Sequence, residues 1–273
     1  MRQAWRYRLL SPLRRIRAAW REREFRSVPR VAADPRALGV LSAGQLAAML
    51  APNAVLPEWT EDHEIIAALG LPEMTGGVNP GDQRALHALV LGLRPSAILE
   101  VGTHIGCSTL SLALAARRIG AHIDSCDVAD VNDEGRRPWL RYGARLSPRE
   151  LLKQTGCSAQ VDFHVSDSLA FLQRGRRFDF IFLDGDHAAG TVYRELAAAF
   201  VALRPEGHIL LHDYYPENRP LFTHYPEISG PFLAVQRQVR EGAAISVLPL
   251  GSLAWRTREG SSATSLALVS RRA

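Results

Sequence analysis

From residue 97 onward the apolar positions switch repeatedly between two periods. Residues 97–101 are a short apolar run that ends at a glycine turn, and 108–118 follow with helical spacing. The same alternation predicts strands at 122–127 and 161–165, and a short helix at 169–174. It then predicts a strand at 178–183, a helix at 192–203 and a strand at 208–211. The run 178–183 is almost wholly apolar, as a strand covered on both faces should be. Strand–helix–strand repetition implies parallel pairing, so the pattern predicts a doubly wound, mostly parallel α/β sheet with helices on both faces. A helix at 232–240 and two closing strands, 245–250 and 265–269, predict an antiparallel hairpin at one edge joined by a short connection.

The first third of the chain reads differently. Trp5, Leu9, Leu13, Ile16 and Trp20 recur at spacings of three and four with arginines between them, which predicts a basic amphipathic arm over residues 1–26. Such a helix suits either packing on the domain or peripheral contact with an anionic membrane surface. Residues 27–74 carry Pro29, Pro35, Pro52 and Pro57 around an Ala/Leu-rich stretch, and are expected to be a linker and helical cap. The segment from Thr75 to Gly81 should split two helical pieces, and residues 75–273 should form the main domain.

Charge sharpens this division. Residues 1–26 hold nine arginines against Glu22 and Glu24, a net +7, which leaves about −2 for the rest of a chain whose total is +5. The body therefore offers no groove-binding face for nucleic acid, and none is expected as a partner. Three widely spaced cysteines, Cys107, Cys126 and Cys157, argue against a disulfide framework and for a reducing, cytoplasmic compartment.

The candidate chemistry lies at strand ends. Glu100-Val101-Gly102-Thr103-His104-Ile105-Gly106-Cys107-Ser108 is a strand, a glycine turn and a helix start. In open α/β sheets ligands bind there, at the carboxyl ends of strands. Glu100 occupies the place of the first glycine in a dinucleotide fingerprint, and a carboxylate there repels pyrophosphate. It tolerates a ligand with an ammonium and a sulfonium. Asp127 ends the next strand, 25 residues beyond Gly102, at a distance where an acid commonly accepts from ribose hydroxyls. Ser166-Asp167-Ser168 follow the third strand as helix caps and as ligand contacts. Two neighbouring strands then deliver Asp184-Gly185-Asp186-His187 and His212-Asp213 to one crevice, a set able to hold a divalent ion or to act as a general base.

Together these residues resemble the class I S-adenosylmethionine-dependent methyltransferases with a Rossmann-like sheet. Within them they resemble the small-molecule O-methyltransferases with an Asp-Gly-Asp-His signature, over roughly residues 75–270. The closing hairpin is a mark of that architecture. The resemblance implies S-adenosylmethionine as cofactor, with Glu100, Gly102, Thr103, Gly106 and Ser108 lining its methionine half. Asp127 would hold the ribose, and Asp167 and Ser168 would lie near adenine. Asp184, also expected to contact the cofactor, matches the acid that ends the fourth strand in metal-dependent relatives, and His212-Asp213 stands where those carry their metal-binding pair. That implies a magnesium site at Asp184, His212 and Asp213, with a histidine departing from the pattern. His187 or His212 is expected as the base, with Asp184 and Asp213 orienting it, and the acceptor as a small hydroxylated metabolite or sugar. Ala188-Ala189-Gly190 replace an aromatic residue and are expected to widen the substrate mouth. An insertion over 131–147, with Arg136, Arg137, Trp139 and Arg141, is expected to form a basic wall. A homo-oligomer is compatible with all of this. The alternatives are a nicotinamide-dependent oxidoreductase, disfavoured by Glu100, and a non-catalytic or membrane-tethered scaffold.

Overall fold

The computed structural model describes residues 23, 25–71, 77–219, 221 and 228–272. The amphipathic stripe expected over Trp5 to Trp20 lies outside them. Helices α1 (Ala43–Met49), α2 (Leu56–Ala68) and α3 (Pro80–Leu93) lie before the first strand. Then follow β1 (Ala97–Val101), α4 (Cys107–Ile119), β2 (His122–Asp127), α5 (Pro148–Gln154), β3 (Val161–Val165) and α6 (Ser168–Leu172). The chain continues through β4 (Phe178–Leu183), α7 (Ala189–Ala202), β5 (Leu203–Leu211), α8 (Gly230–Arg240), β6 (Ile245–Pro249) and β7 (Ala267–Arg271).

The seven strands lie in the order β3-β2-β1-β4-β5-β7-β6. β1 to β5 pair in parallel, while β7 pairs antiparallel with both β5 and β6. The expected sheet is thus present, with its antiparallel edge pair. The expected short hairpin connection is not, because residues 250–266 intervene and fold back on the core through Leu253, Trp255 and Thr257. The unbroken apolar run of β4 has the predicted cause. Phe180 and Phe182 enter a core beneath α3 and α4, while Ile181 and Leu183 enter a second core beneath α6 and α7.

The segment before β1 packs on the sheet and its helices. Leu38 is fully buried and bridges Gly207 of β5. α2 docks through Asp62, which is fully buried and accepts from Arg118 Nε at 2.7 Å and pairs with His87 Nε2 at 2.7 Å. Trp59 lies edge-on to His87 with ring centroids 5.3 Å apart. Among the described residues no helix is long and apolar enough to cross a membrane.

Removing one member of a buried ion pair strands its partner. Asp62→Ala should therefore cost about 3 kcal/mol of unfolding free energy in urea denaturation. A loss near the surface-pair range of under about 1 kcal/mol would show that the pair is not what docks α2.

Candidate active site

The strand order reverses between β1 and β4, because β2 and β3 lie outward on one side and β5 on the other. At that point the carboxyl ends of the strands open on a cleft of about 510 Å³. Gly102 leaves β1 with φ +96°, and a Cβ there would stand 2.3 Å from the carbonyl oxygen of Asp184. Only glycine permits that approach. The ladder continues past the strand ends, with Gly102 N–H donating to Cys126 O and Asp184 N–H donating to Val101 O, both at 2.9 Å.

Asp127 ties the turn to β2. Its Oδ2 accepts from the amides of Thr103 at 3.1 Å and His104 at 3.0 Å, and its Oδ1 from Ala129 N–H at 2.9 Å. Each carboxylate oxygen keeps acceptor capacity toward the cleft it lines. Asp167 caps α6 by accepting from Ala170 N–H at 3.0 Å, and Ser168 donates to the buried Glu195. Asp186 accepts from Thr191 Oγ1 at 2.7 Å and braces the start of α7.

Of the expected cofactor contacts, Gly102, Thr103, Ser108, Asp127, Asp167, Ser168 and Asp184 line the cleft. Glu100 and Gly106 do not. Glu100 is fully buried, and its Oε2 accepts from Ser125 Oγ and Thr109 Oγ1, each at 2.6 Å. Ser125 is in turn 2.7 Å from Thr103 Oγ1, so Glu100 reaches the lining only through hydroxyls. Burial pushes its carboxyl up to about 7, against the lowering effect of those hydroxyl donors. Gly106 instead makes room for Pro148, whose Cβ would lie 3.0 Å from an added methyl.

The expected acid–imidazole cluster does assemble. Asp184 Oδ1 lies 2.9 Å from His212 Nδ1, and Asp213 Oδ1 lies 3.5 Å from the same nitrogen. On the other edge of Asp213, Oδ2 is 3.4 Å from His187 Nε2. Burial alone disfavours the His212 imidazolium, but the Asp184 and Asp213 carboxylates reverse this and raise His212 well above the usual histidine range. His212 and its neighbours in turn hold Asp213 far below the usual carboxylate range, despite its burial.

Several lining residues were not foreseen. His104, at φ +50°, lines the cleft and packs edge-on against Tyr142, with centroids 4.2 Å apart. Burial lowers its pKa, opposed by Asp127 and Asp184. Val78 and Glu195 also line the cleft, and burial pushes Glu195 up to about 7. The sequence did hold a signal for Glu195: a glutamate at a core-facing position of an otherwise apolar helix stripe. Two expectations for the rim change. Ala188-Ala189-Gly190 do not widen the mouth, because Val28 fills the space over Gly190 at 3.2 Å, with Phe25 beside it. In the 131–147 insertion Arg136, Arg137 and Arg141 are exposed as expected, but Trp139 is buried against Ile105, Cys107 and Ala144.

Residues 99–214 match the family model described as a methyltransferase domain. The fold is similar to that of an O-methyltransferase from Bacillus cereus solved with S-adenosylhomocysteine. That likeness has a TM-score of 0.51 at 19% identity and covers 84% of this chain and 96% of that one. It is similar also to TomG, an O-methyltransferase of tomaymycin synthesis from Streptomyces achromogenes solved with S-adenosylmethionine. Here the TM-score is 0.53 at 14% identity, covering 86% of this chain and 100% of that one. A methyltransferase from Podospora anserina matches with TM-score 0.51 at 17% identity, over 81% and 89% of the two chains. Residues 99–214 thus match a methyltransferase domain, and the fold is similar to that of the class I, Rossmann-like methyltransferases.

The buried acids make stability depend on pH. Unfolded, Glu100 and Glu195 titrate near 4.5, and folded near 7, so the folded protein holds extra protons between those values. Their contribution is fully present below about pH 4.5 and is lost as pH rises through 7. Wild type should lose on the order of 2–3 kcal/mol more than Glu100→Gln between pH 5 and 8 in parallel denaturant melts. Superimposable pH profiles would show that Glu100 is not titrating in that window.

Proposed function

We propose that this protein transfers a methyl group from S-adenosylmethionine to a hydroxyl of a small acceptor. The observation that carries the reading is the cleft itself. One wall is a glycine turn tied down by Asp127 at the β1/β4 reversal, and the other is an acid–imidazole cluster on the ends of β4 and β5. The residues fit that cofactor. The lining is acidic, with Asp127, Asp167, Asp184 and Asp213 facing the space, which suits a cationic ligand and repels pyrophosphate. When bound, the cofactor supplies an electrophilic methyl group. The chain supplies alignment and removal of a proton.

The two histidines divide that work. His212 is buried and held as an imidazolium among carboxylates, so it is a fixed positive charge rather than a proton acceptor. His187 is the better base, because its side chain is 35% exposed on the cleft and Asp213 Oδ2 stands beside Nε2. Proton abstraction by His187 leaves an imidazolium that Asp213 stabilises. A divalent ion also fits. The ion is the alternative to the ring proton: with His212 neutral, Asp184, His212 and Asp213 each offer a ligand atom, all within 4.8 Å of one another, and among the described residues neither ring nitrogen of His212 has a hydrogen bond of proper geometry. Two carboxylates with one imidazole suit magnesium or manganese, which would orient the acceptor oxygen and lower its pKa. The arginine-rich residues 1–26 are proposed as a peripheral membrane contact, supported by the Trp5-to-Trp20 stripe.

Titration calorimetry with S-adenosylhomocysteine should give a Kd of order 1 μM, weakened at least about tenfold in Asp127→Ala, while NADH gives no heat of binding. Preference for NADH would remove the methyltransferase reading. In an acceptor screen with labelled cofactor, His187→Ala should lose about 10²- to 10⁴-fold in turnover. Asp184→Asn and His212→Ala should abolish turnover while S-adenosylhomocysteine affinity stays within about tenfold. Wild-type turnover in all three would take the cluster out of the mechanism.

A further inference from the structure

A third carboxylate reaches His212 from a part of the chain that neither the cleft nor the sheet supplies. Asp82, in the first turn of α3, is fully buried, and its Oδ2 lies 3.5 Å from His212 Nε2, opposite the edge that faces Asp184 and Asp213. Asp82 is absent from the cleft lining and so cannot touch an acceptor there. Its own support is tight. Asn79 caps the helix, accepting from Asp82 N–H at 3.0 Å and donating Nδ2 to Asp82 Oδ2 at 2.6 Å. The residue before it is clamped as well, because a Cβ on Gly81 would meet Thr257 Cα at 2.4 Å and Trp255 Nε1 donates to Gly81 O at 2.9 Å. Asp82 Oδ1 has no hydrogen-bond partner among the described residues.

A buried carboxylate with one oxygen unpartnered and the other bonded to Asn79 costs stability unless a cation stands beside it. The imidazole beside it has two orientations related by a half-turn, which exchange its nitrogens with ring carbons. With a carboxylate on each side, only one orientation presents nitrogen to both. We propose that Asp82 is a positioning residue: its carboxylate, 3.5 Å from Nε2 and paired with it by charge rather than by a well-formed hydrogen bond, attracts that edge of His212 and so keeps Nδ1 turned to Asp184 and Asp213. Histidines that serve through one ring nitrogen are commonly fixed by a carboxylate at the other. What the oriented ring is used for rests on the methyl-transfer reading, but the orientation itself does not.

Ring-nitrogen correlation spectra of the full-length, ¹⁵N-labelled protein test this, with the His212 signals assigned by their loss in His212→Gln. Wild type should show a downfield, slowly exchanging Nε2 proton on His212. Asp82→Ala should lose it, and Asp82→Asn, which keeps a carbonyl oxygen in place, should restore it, with thermal melts confirming that both variants fold. If Asp82→Ala does not fold, Asn79→Ala, which frees Asp82 without removing it, should give the same loss. An unchanged His212 resonance in the folded variant overturns the proposal. S-adenosylhomocysteine calorimetry on the same samples keeps the two ideas apart. Absence of binding in wild type removes the methyltransferase reading, while the spectra still decide the role of Asp82.

Discussion

The site depends on the contact of two backbones. Gly102 and Asp184 follow neighbouring parallel strands, and the carbonyl oxygen of one stands where the side chain of the other would begin. That proximity brings the turn after β1 and the acid-bearing end of β4 around one cavity. It also fixes the hydrogen bonds that continue beyond the strands: Gly102 to Cys126, Asp184 to Val101, and His212 to Leu183. Four strand ends are locked in register by bonds that lie outside the strands. Asp127 completes the frame by taking the free amides of Thr103 and His104. A site built this way is set by the backbone before any functional side chain is placed.

Charge then decides which side chain can do what. The cleft gathers carboxylates at low solvent exposure, an arrangement that is costly unless cations share the space. Among the described residues that line it, His212 is the buried imidazole at its floor, and the carboxylates of Asp184 and Asp213 raise that ring well above the usual histidine range, toward a fixed charge. A fixed charge is a poor base, which is why the proposed function gives proton transfer to the more exposed His187. The same crowding explains why a cationic ligand suits the cleft. A sulfonium, an ammonium or a divalent ion relieves the repulsion, whereas a pyrophosphate adds to it.

Much of the sheet was legible in the sequence because its signals are local. The strands at 122–127, 161–165 and 178–183 have the boundaries that their apolar runs predicted, and the glycine turn marked the reversal point. The strand-end acids were legible for the same reason, since a charged residue that ends an apolar run declares where it points. What the sequence hid came from distant contacts. Glu100 reads as a ligand-facing acid, yet Ser125 and Thr109, on different elements, draw it under the turn. Asp82 carried no signal in the sequence pattern, and only the tertiary fold shows that His212 lies beside it.

The rim shows how a missing side chain is replaced from elsewhere. Ala188, Ala189 and Gly190 leave a gap at the start of α7, and by composition alone that gap is an open mouth. Phe25, Val28 and Val31 fill it, packing on Val192 and Tyr193. Arg237 fastens the insert by donating to the carbonyls of Phe25 and Val28 at 2.7 and 2.6 Å while stacking over Tyr193. Gly190 is small because a neighbouring segment occupies its side-chain space, not because a substrate does. The segment that follows the arginine-rich arm is therefore part of the wall beside Asp186 and His187, and the arm's point of attachment lies next to the proposed base.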